Sequence, residues 1–417
     1  MENIIRIADK LKAMALKTIN DCTFEKTARY FEKEEKTRVL LPSGDEKYRS
    51  FWVRDAAMMA ESGLVSNADL KRYVEIIACC GQNGENAVRL KNDLEIPPFA
   101  IADHINYDGK AVFFPGTYSS GEDQGRGNFG FFPPFCDNFY FIIMVCQYIN
   151  QSGDYQILQN EYNGLSLLTR VEKAFACYNI DDITGLCASD AQKYTVDWGF
   201  VDTVKKSGKL LMASLLRYNS GVMLSEVFGV IGQKEKQKIL DAETQKIKKS
   251  IIDTFYDAKT GWFYSATGLC RQYDVWATAY AVFLNIATED KTLEALWQGY
   301  RDKSAVVDGQ IRHVLTTNNF SPESAWESAI SKMNTYQNGA YWATPTGWYA
   351  YALYKYNRRV DILDDFYAHY ENYKDKGAPF EWINDKTEIF SGLHYGTSGV
   401  LPYVGVSKII NEMNSFI

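Results

Sequence analysis

Arg54 and Asp55 stand side by side in Ser50-Phe51-Trp52-Val53-Arg54-Asp55-Ala56-Ala57-Met58-Met59, with hydrophobic residues on both flanks. Charges withdrawn from water are costly unless paired and hydrogen-bonded. The guanidinium offers a rigid fork of donors and the carboxylate offers acceptors only. A polyhydroxylated ligand, whose hydroxyls both donate and accept, complements such a pair. The same residues suit a structural ion pair at a helix N-terminus, where an aspartate complements the helix dipole.

Two further acids sit among aromatic or apolar neighbours. Asp197 lies in Tyr194-Thr195-Val196-Asp197-Trp198-Gly199-Phe200-Val201-Asp202, and Glu381 in Ala378-Pro379-Phe380-Glu381-Trp382-Ile383. Desolvation raises a carboxyl pKa, as a general acid working near neutrality requires. Two such carboxyls on separate loops fit cleavage of a glycosidic bond: one protonates the leaving oxygen and the other activates water or attacks the sugar. Asp197 is expected to be the acid and Glu381 the base, with Asp202 and Glu388 as competing acids. Around them, substrate contacts are expected from Trp52, Arg54, Asp55, Asp137, Trp198, Asp274, Trp276, Gln337, Asn338, Trp342, Trp382, His394 and Tyr395. Four of the tryptophans, Trp52, Trp198, Trp342 and Trp382, are expected to form walls. Asp137 also reads as the N-cap of the helix that follows it.

These residues lie on different segments, so something must gather them. Helical periodicity dominates the chain and alternating strands are few. It predicts about twelve helices, near 2–20, 52–64, 68–84, 137–151, 154–178, 209–231, 234–256, 274–288, 291–302, 340–356, 359–373 and 395–413. Some have one charged face, as in Gln233–Leu240; others, such as Phe139–Cys146, are apolar nearly all round and must be buried. Short links at 65–67, 151–153, 231–233, 287–289 and 356–358 alternate with long ones at 21–51, 85–136, 179–208, 257–273, 303–339 and 374–394. Short links imply antiparallel neighbours, and long loops in a compact fold are commonly functional. The pattern predicts an all-α, (α/α)6 toroid of six helical hairpins over 1–417, a single catalytic domain whose long loops emerge at one end.

Composition narrows the partners. A net charge of −7 and a pI near 5.4 argue against nucleic acid. There is no apolar run of ~18 residues for a membrane span. The charged, amphipathic residues 1–10 do not form the apolar core of a secretory leader. Eight scattered cysteines without a CxxC read as reduced thiols in a cytoplasmic protein, and nothing in the spacing supports a zinc site at Cys79 or Cys80. Aromatic residues make up 14% of the chain; a large core accounts for most of them, and Tyr and Trp also line sugar sites, where they stack on the ring's C–H faces. No motif calls for a nucleotide, haem or redox cofactor. No metal or cofactor is expected; an acid-rich loop such as Glu122-Asp123 is where a structural calcium ion would sit.

Four patches carry a resemblance. Trp52-Val53-Arg54-Asp55-Ala56-Ala57 resembles the W-x-R-D-A segment with which glucoamylase-type enzymes hold the terminal sugar. Tyr336-Gln337-Asn338-Gly339-Ala340-Tyr341-Trp342 is similar to the Y-x-N-G-G-x-W loop of six-hairpin glycosidases, with Ala340 in place of the second glycine. Val196-Asp197-Trp198 resembles the loop bearing the general acid in trehalase-like and processing α-glucosidase families, and Phe380-Glu381-Trp382 the late loop bearing their base. The Glu-Glu pair of glucoamylases has no counterpart at Asp197. The resemblance implies an exo-acting, inverting hydrolase of an α-linked glucoside or related oligosaccharide. Other functions on the same barrel remain open: an isomerase or epimerase using His104 and His394, a polysaccharide lyase with a Tyr/His pair and a basic groove, or a sugar-binding protein without catalysis.

Overall fold

The computed structural model describes residues 2–116, 121, 123–125, 127–318 and 326–415. Twelve α-helices run through them: α1 (Glu2–Cys22), α2 (Val53–Ala60), α3 (Asn67–Ile76), α4 (Phe135–Ser152), α5 (Leu167–Phe175), α6 (Leu211–Val230), α7 (Lys234–Phe255), α8 (Val275–Phe283), α9 (Asp290–Arg301), α10 (Thr346–Asn357), α11 (Asp361–Tyr373) and α12 (Gly396–Asn414). The even-numbered helices touch one another in a closed cycle, α2 to α4 and onward to α12, which packs back on α2. The odd-numbered helices pack outside them, with α1 lying against α12 and α11. This is the (α/α)6 toroid.

Sequence decides which helix goes where. Every residue of α8 is buried, as is every residue of α4 from Phe135 to Cys146. A helix apolar on all sides has to be enclosed. Outer α7 buries only a stripe, Leu240, Thr244, Ile247, Ile251 and Phe255, at three- and four-residue spacing. Local signals set the boundaries: Ser66 and Ser166 cap α3 and α5, and α4 ends at left-handed Gly153.

Several expected helices are shorter or broken: those expected at 52–64 and 274–288 end at Ala60 and Phe283, and three others depart further. The span expected at 154–178 becomes a 3-10 turn (Tyr155–Gln159), a hairpin (Glu161–Tyr162 with Leu165–Ser166), and only then α5. Asn163 and Gly164 both take positive φ, the conformation an Asn-Gly hairpin turn requires. The helix expected to reach 84 ends at Ile76 and passes into a single π-turn, Ile77–Gly81. The one expected from 340 begins at Thr346, because Tyr341–Trp342 form a strand.

The long connections precede α2, α4, α6, α8, α10 and α12, and they carry small antiparallel sheets. One joins Val306–Val307, Gln310–Arg312, Tyr341–Trp342, Trp382–Ile383 and Phe390–Ser391; another joins Phe51–Trp52, His104–Ile105 and Ala111–Val112. All eight cysteines are free thiols. Among the described residues no helix is long and apolar enough to cross a membrane.

Candidate active site

Five of these connections enclose a cavity of about 250 Å³. Its walls are aromatic: Tyr48, Trp52, Phe129, Phe200, Tyr336 and Tyr395. Its polar lining comes from Arg54, Asp55, Asp202, Thr203, Gln337 and Glu381. Trp52 is held edge-on to Tyr48 and stacks on His104, with ring centroids 4.4 Å apart.

Arg54 is anchored from behind. Its guanidinium meets Asp103 at 2.5 Å and Asp137 at 3.1 Å, with both carboxylates fully buried. Asp103 in turn holds His104 Nδ1 at 2.8 Å. Burial pushes Asp103 upward, but Arg54 and His104 outweigh it and its pKa lies below the usual value. In Asp137 burial prevails, helped by Asp103, and its pKa stands well above the usual value. Gly199 has to be glycine, because a Cβ there would come within 2.1 Å of Arg54 Cζ.

Three carboxyls face the cavity. Burial raises Asp55 to about 6 against the pull of Arg54, and Tyr395 donates to its Oδ1 at 3.3 Å. Burial raises Asp202 to about 7, again opposed by Arg54 and by a hydrogen bond from Gln337. Gln337 is aimed by accepting from Thr203 N–H at 2.7 Å and from the Thr203 hydroxyl at 2.8 Å. Burial likewise raises Glu381 to about 7, opposed by Lys47 and by the Tyr48 hydroxyl, which donates to Oε1 at 2.8 Å. Asp202 Oδ1 and Glu381 Oε2 are buried without a hydrogen-bond partner.

Of the residues expected from sequence, Trp52, Arg54, Asp55, Gln337, Glu381 and Tyr395 line this cavity. The others stand outside it. Asp197 is the main correction: its Oδ2 is ion-paired with Lys206 Nζ at 2.5 Å, its Oδ1 accepts from Ala213 N–H at 2.7 Å, and it does not reach the cavity. Its apolar neighbours bury it as expected, but a lysine distant from those neighbours compensates the charge. Asp274 caps α8 through Ala277 N–H and holds His313 Nε2 at 3.1 Å. Asp137 lies within α4, which starts at Phe135, so it caps no helix and serves Arg54 instead. Trp198 and Trp276 meet edge-to-face in the core, and Trp342 donates to Tyr336 O. Asn338 accepts from Trp326 Nε1 at 2.7 Å. Trp382 contacts Tyr336 edge-on behind the lining. His394 is half-buried at a left-handed backbone position. The calcium expectation falls partly outside the described residues, at Glu122, while Asp123 pairs with Lys110 at 2.6 Å.

Sequence reasoning passed over Tyr48, Phe200, Thr203 and Tyr336, and treated Asp202 as a bystander. Asp202 carried the same signal as Asp197, an acid beside a valine on the same loop. Only the course of the loop tells them apart.

No family model matches the chain, and no curated protein matches its sequence. Solved structures do match. A rhamnosidase from Klebsiella oxytoca with rhamnose bound aligns over 98% of this chain and 64% of its own (TM-score 0.59, 13% identity). A GH78 family rhamnosidase of a Bacillus species aligns over 95% of this chain and 34% of its own (TM-score 0.58, 14% identity). A GH63 mannosylglycerate hydrolase from Thermus thermophilus, in complex with glucose, aligns over 94% and 99% (TM-score 0.55, 12% identity). This chain thus spans just under two thirds of one rhamnosidase and about a third of the other. What is shared at these identities is the fold.

Proposed function

We propose that the protein is a glycoside hydrolase acting through its whole barrel as one catalytic unit, with Asp202 as general acid and Glu381 as general base. One observation carries this reading: two carboxyls, buried Glu381 and half-buried Asp202, face the same aromatic-walled cavity. Their pKa values near 7 allow one to hold a proton while the other is ionised at neutral pH. Asp55 and Arg54 hold sugar hydroxyls, and the aromatic walls stack on the ring's C–H faces. A cavity this small accepts a terminal sugar rather than the interior of a chain, which favours exo action.

Glu381 accepts from Tyr48, a hydrogen bond that favours its ionised form against the effect of burial, as a base that takes a proton from water needs. Asp202 therefore takes the acid role, in place of Asp197. The mechanism is inverting on an α-linked glycoside, with one carboxyl on each face of the sugar. The neighbours named for rhamnose and for glucose make α-L-rhamnosides and α-D-glucosides the first substrates to try.

The other functions find less support. His104 is engaged by Asp103 behind the wall and His394 does not line the cavity, so no histidine pair faces a substrate. Three carboxyls against Arg54 make a poor site for the uronates of a lyase. A panel of aryl α-glycosides and α-linked disaccharides tests the proposal, with proton NMR of the newly released sugar reading its anomeric form. Retention of configuration, or unchanged turnover in Asp202→Asn, would contradict it.

A further inference from the structure

The loop that presents Asp202 is closed at its base by buried charges. It leaves the barrel at Asp197 and returns at Lys206, where Lys206 Nζ meets Asp197 Oδ2 at 2.5 Å, both side chains at most 2% exposed. Between these anchors the chain makes the Gly199–Val201 turn and delivers Phe200, Asp202 and Thr203 to the cavity. Each anchor is tied to the barrel itself. Asp197 accepts from Ala213 N–H in the first turn of α6. Lys206 also lies 3.9 Å from Asp274, which caps α8 and holds His313 between the rings of Trp276 and Trp326. Just beyond Lys206, Ser207 donates through both N–H and hydroxyl to Glu327.

A buried ion pair is weak evidence for stability, and its best-attested use is to specify one arrangement among several. Here the lysine bridges two carboxylates that are fixed to two different inner helices. An apolar contact of equal area would be non-directional and would leave the loop free to slide. We infer that Lys206 is a positioning residue: its ion pair with Asp197, a clasp referenced to the starts of α6 and α8, sets where the loop delivers the Asp202 carboxyl. The inference rests on Asp202 being the proton donor.

The test uses the Asp197→Asn/Lys206→Met double variant, which removes both charges of the pair so that neither is left without the other. Turnover is compared on 2,4-dinitrophenyl and phenyl glycosides of the sugar that the wild-type protein hydrolyses. Dinitrophenolate departs without a proton, whereas a poorer leaving group needs the acid. The expected result is a roughly 100-fold loss in kcat on the phenyl glycoside, as for a catalytic group displaced by about 1 Å, with KM little changed. The dinitrophenyl glycoside should lose far less, and Lys206→Arg should recover part of the difference. An equal loss on both substrates, or no loss, overturns the inference. Asp202→Asn is the control. If it loses activity selectively on the phenyl glycoside while the double variant does not, the clasp fails and the proposed function stands. If Asp202→Asn loses equally on both, the proton-donor reading fails and takes the clasp with it. Hydrogen exchange over 198–206 is the readout independent of turnover. Faster exchange there in the double variant, with α6 and α8 unchanged, is expected; unchanged exchange overturns the clasp.

Discussion

Asp202 and Glu381 both stand at about 7, each raised first by burial, and Asp202 is the last of the groups that push Glu381 upward. In the proposed reaction one of the two holds a proton near pH 7 while the other is ionised. The pH profile of kcat/KM should be bell-shaped with its maximum near neutrality. It falls at low pH as the base takes up a proton, and at high pH as the acid loses one. Asp202→Asn and Glu381→Gln should each lower kcat by about 10²- to 10⁴-fold, the first abolishing the alkaline limb and the second the acid limb. A flat profile in the wild-type protein would contradict both assignments. Arg54 calls for a different measurement. Arg54→Ala leaves Asp103 and Asp137 buried without their counter-charge, so it should cost on the order of 3–5 kcal/mol of stability in urea unfolding. The sequence alone suggests a loss of sugar recognition only; the two carboxylates behind the guanidinium make it a loss of fold stability as well.

At the scale of elements, acids recur at the starts of inner helices: Asp55 in α2, Asp137 in α4, Asp197 against α6 and Asp274 capping α8. Backbone N–H groups and the helix dipole favour a negative charge there. The sequence showed acids near the starts of apolar helices at all four places, and so could not single out the one that lines the cavity. Asp55 reaches the cavity; the other three hold the frame. The helices were legible wherever apolar periodicity ran unbroken, as in α4, α6 and α12. Legibility failed at 154–178, where the Asn163-Gly164 turn interrupts an apolar pattern that fits a helix equally well. Packing between inner helices gives a direct test. α10 and α12 approach so closely that a Cβ on Gly405 would lie 2.2 Å from Gly347 O. Gly405→Ala should cost about 1–3 kcal/mol by overpacking, read as a lower urea midpoint with the cavity chemistry intact. Unchanged stability would mean that the two helices can separate freely.

At the scale of the whole molecule, the cavity opposes the stability of the barrel around it. Asp55, Asp202 and Glu381 all hold their protons more tightly folded than unfolded. Their contribution to stability is fully present below the ordinary carboxyl range, near pH 4, and is lost as pH rises through about 6 to 7. Glu381→Gln removes this penalty. It should therefore stabilise the protein at pH 8 relative to pH 4 by an amount approaching ~3 kcal/mol, measured as the pH dependence of the unfolding free energy. A variant no more stable than wild type at pH 8 would show that burial does not raise the Glu381 pKa. The sequence by itself determined the twelve-helix alternation and the toroid, and it pointed to Arg54, Asp55 and Glu381, which line the cavity, because periodicity and apolar flanks are local properties. Only the tertiary structure places Asp202 on the cavity and Asp197 outside it. That difference depends on where a ten-residue loop crosses the ring, and on Lys206 returning to neutralise one acid while the other is left facing the cavity.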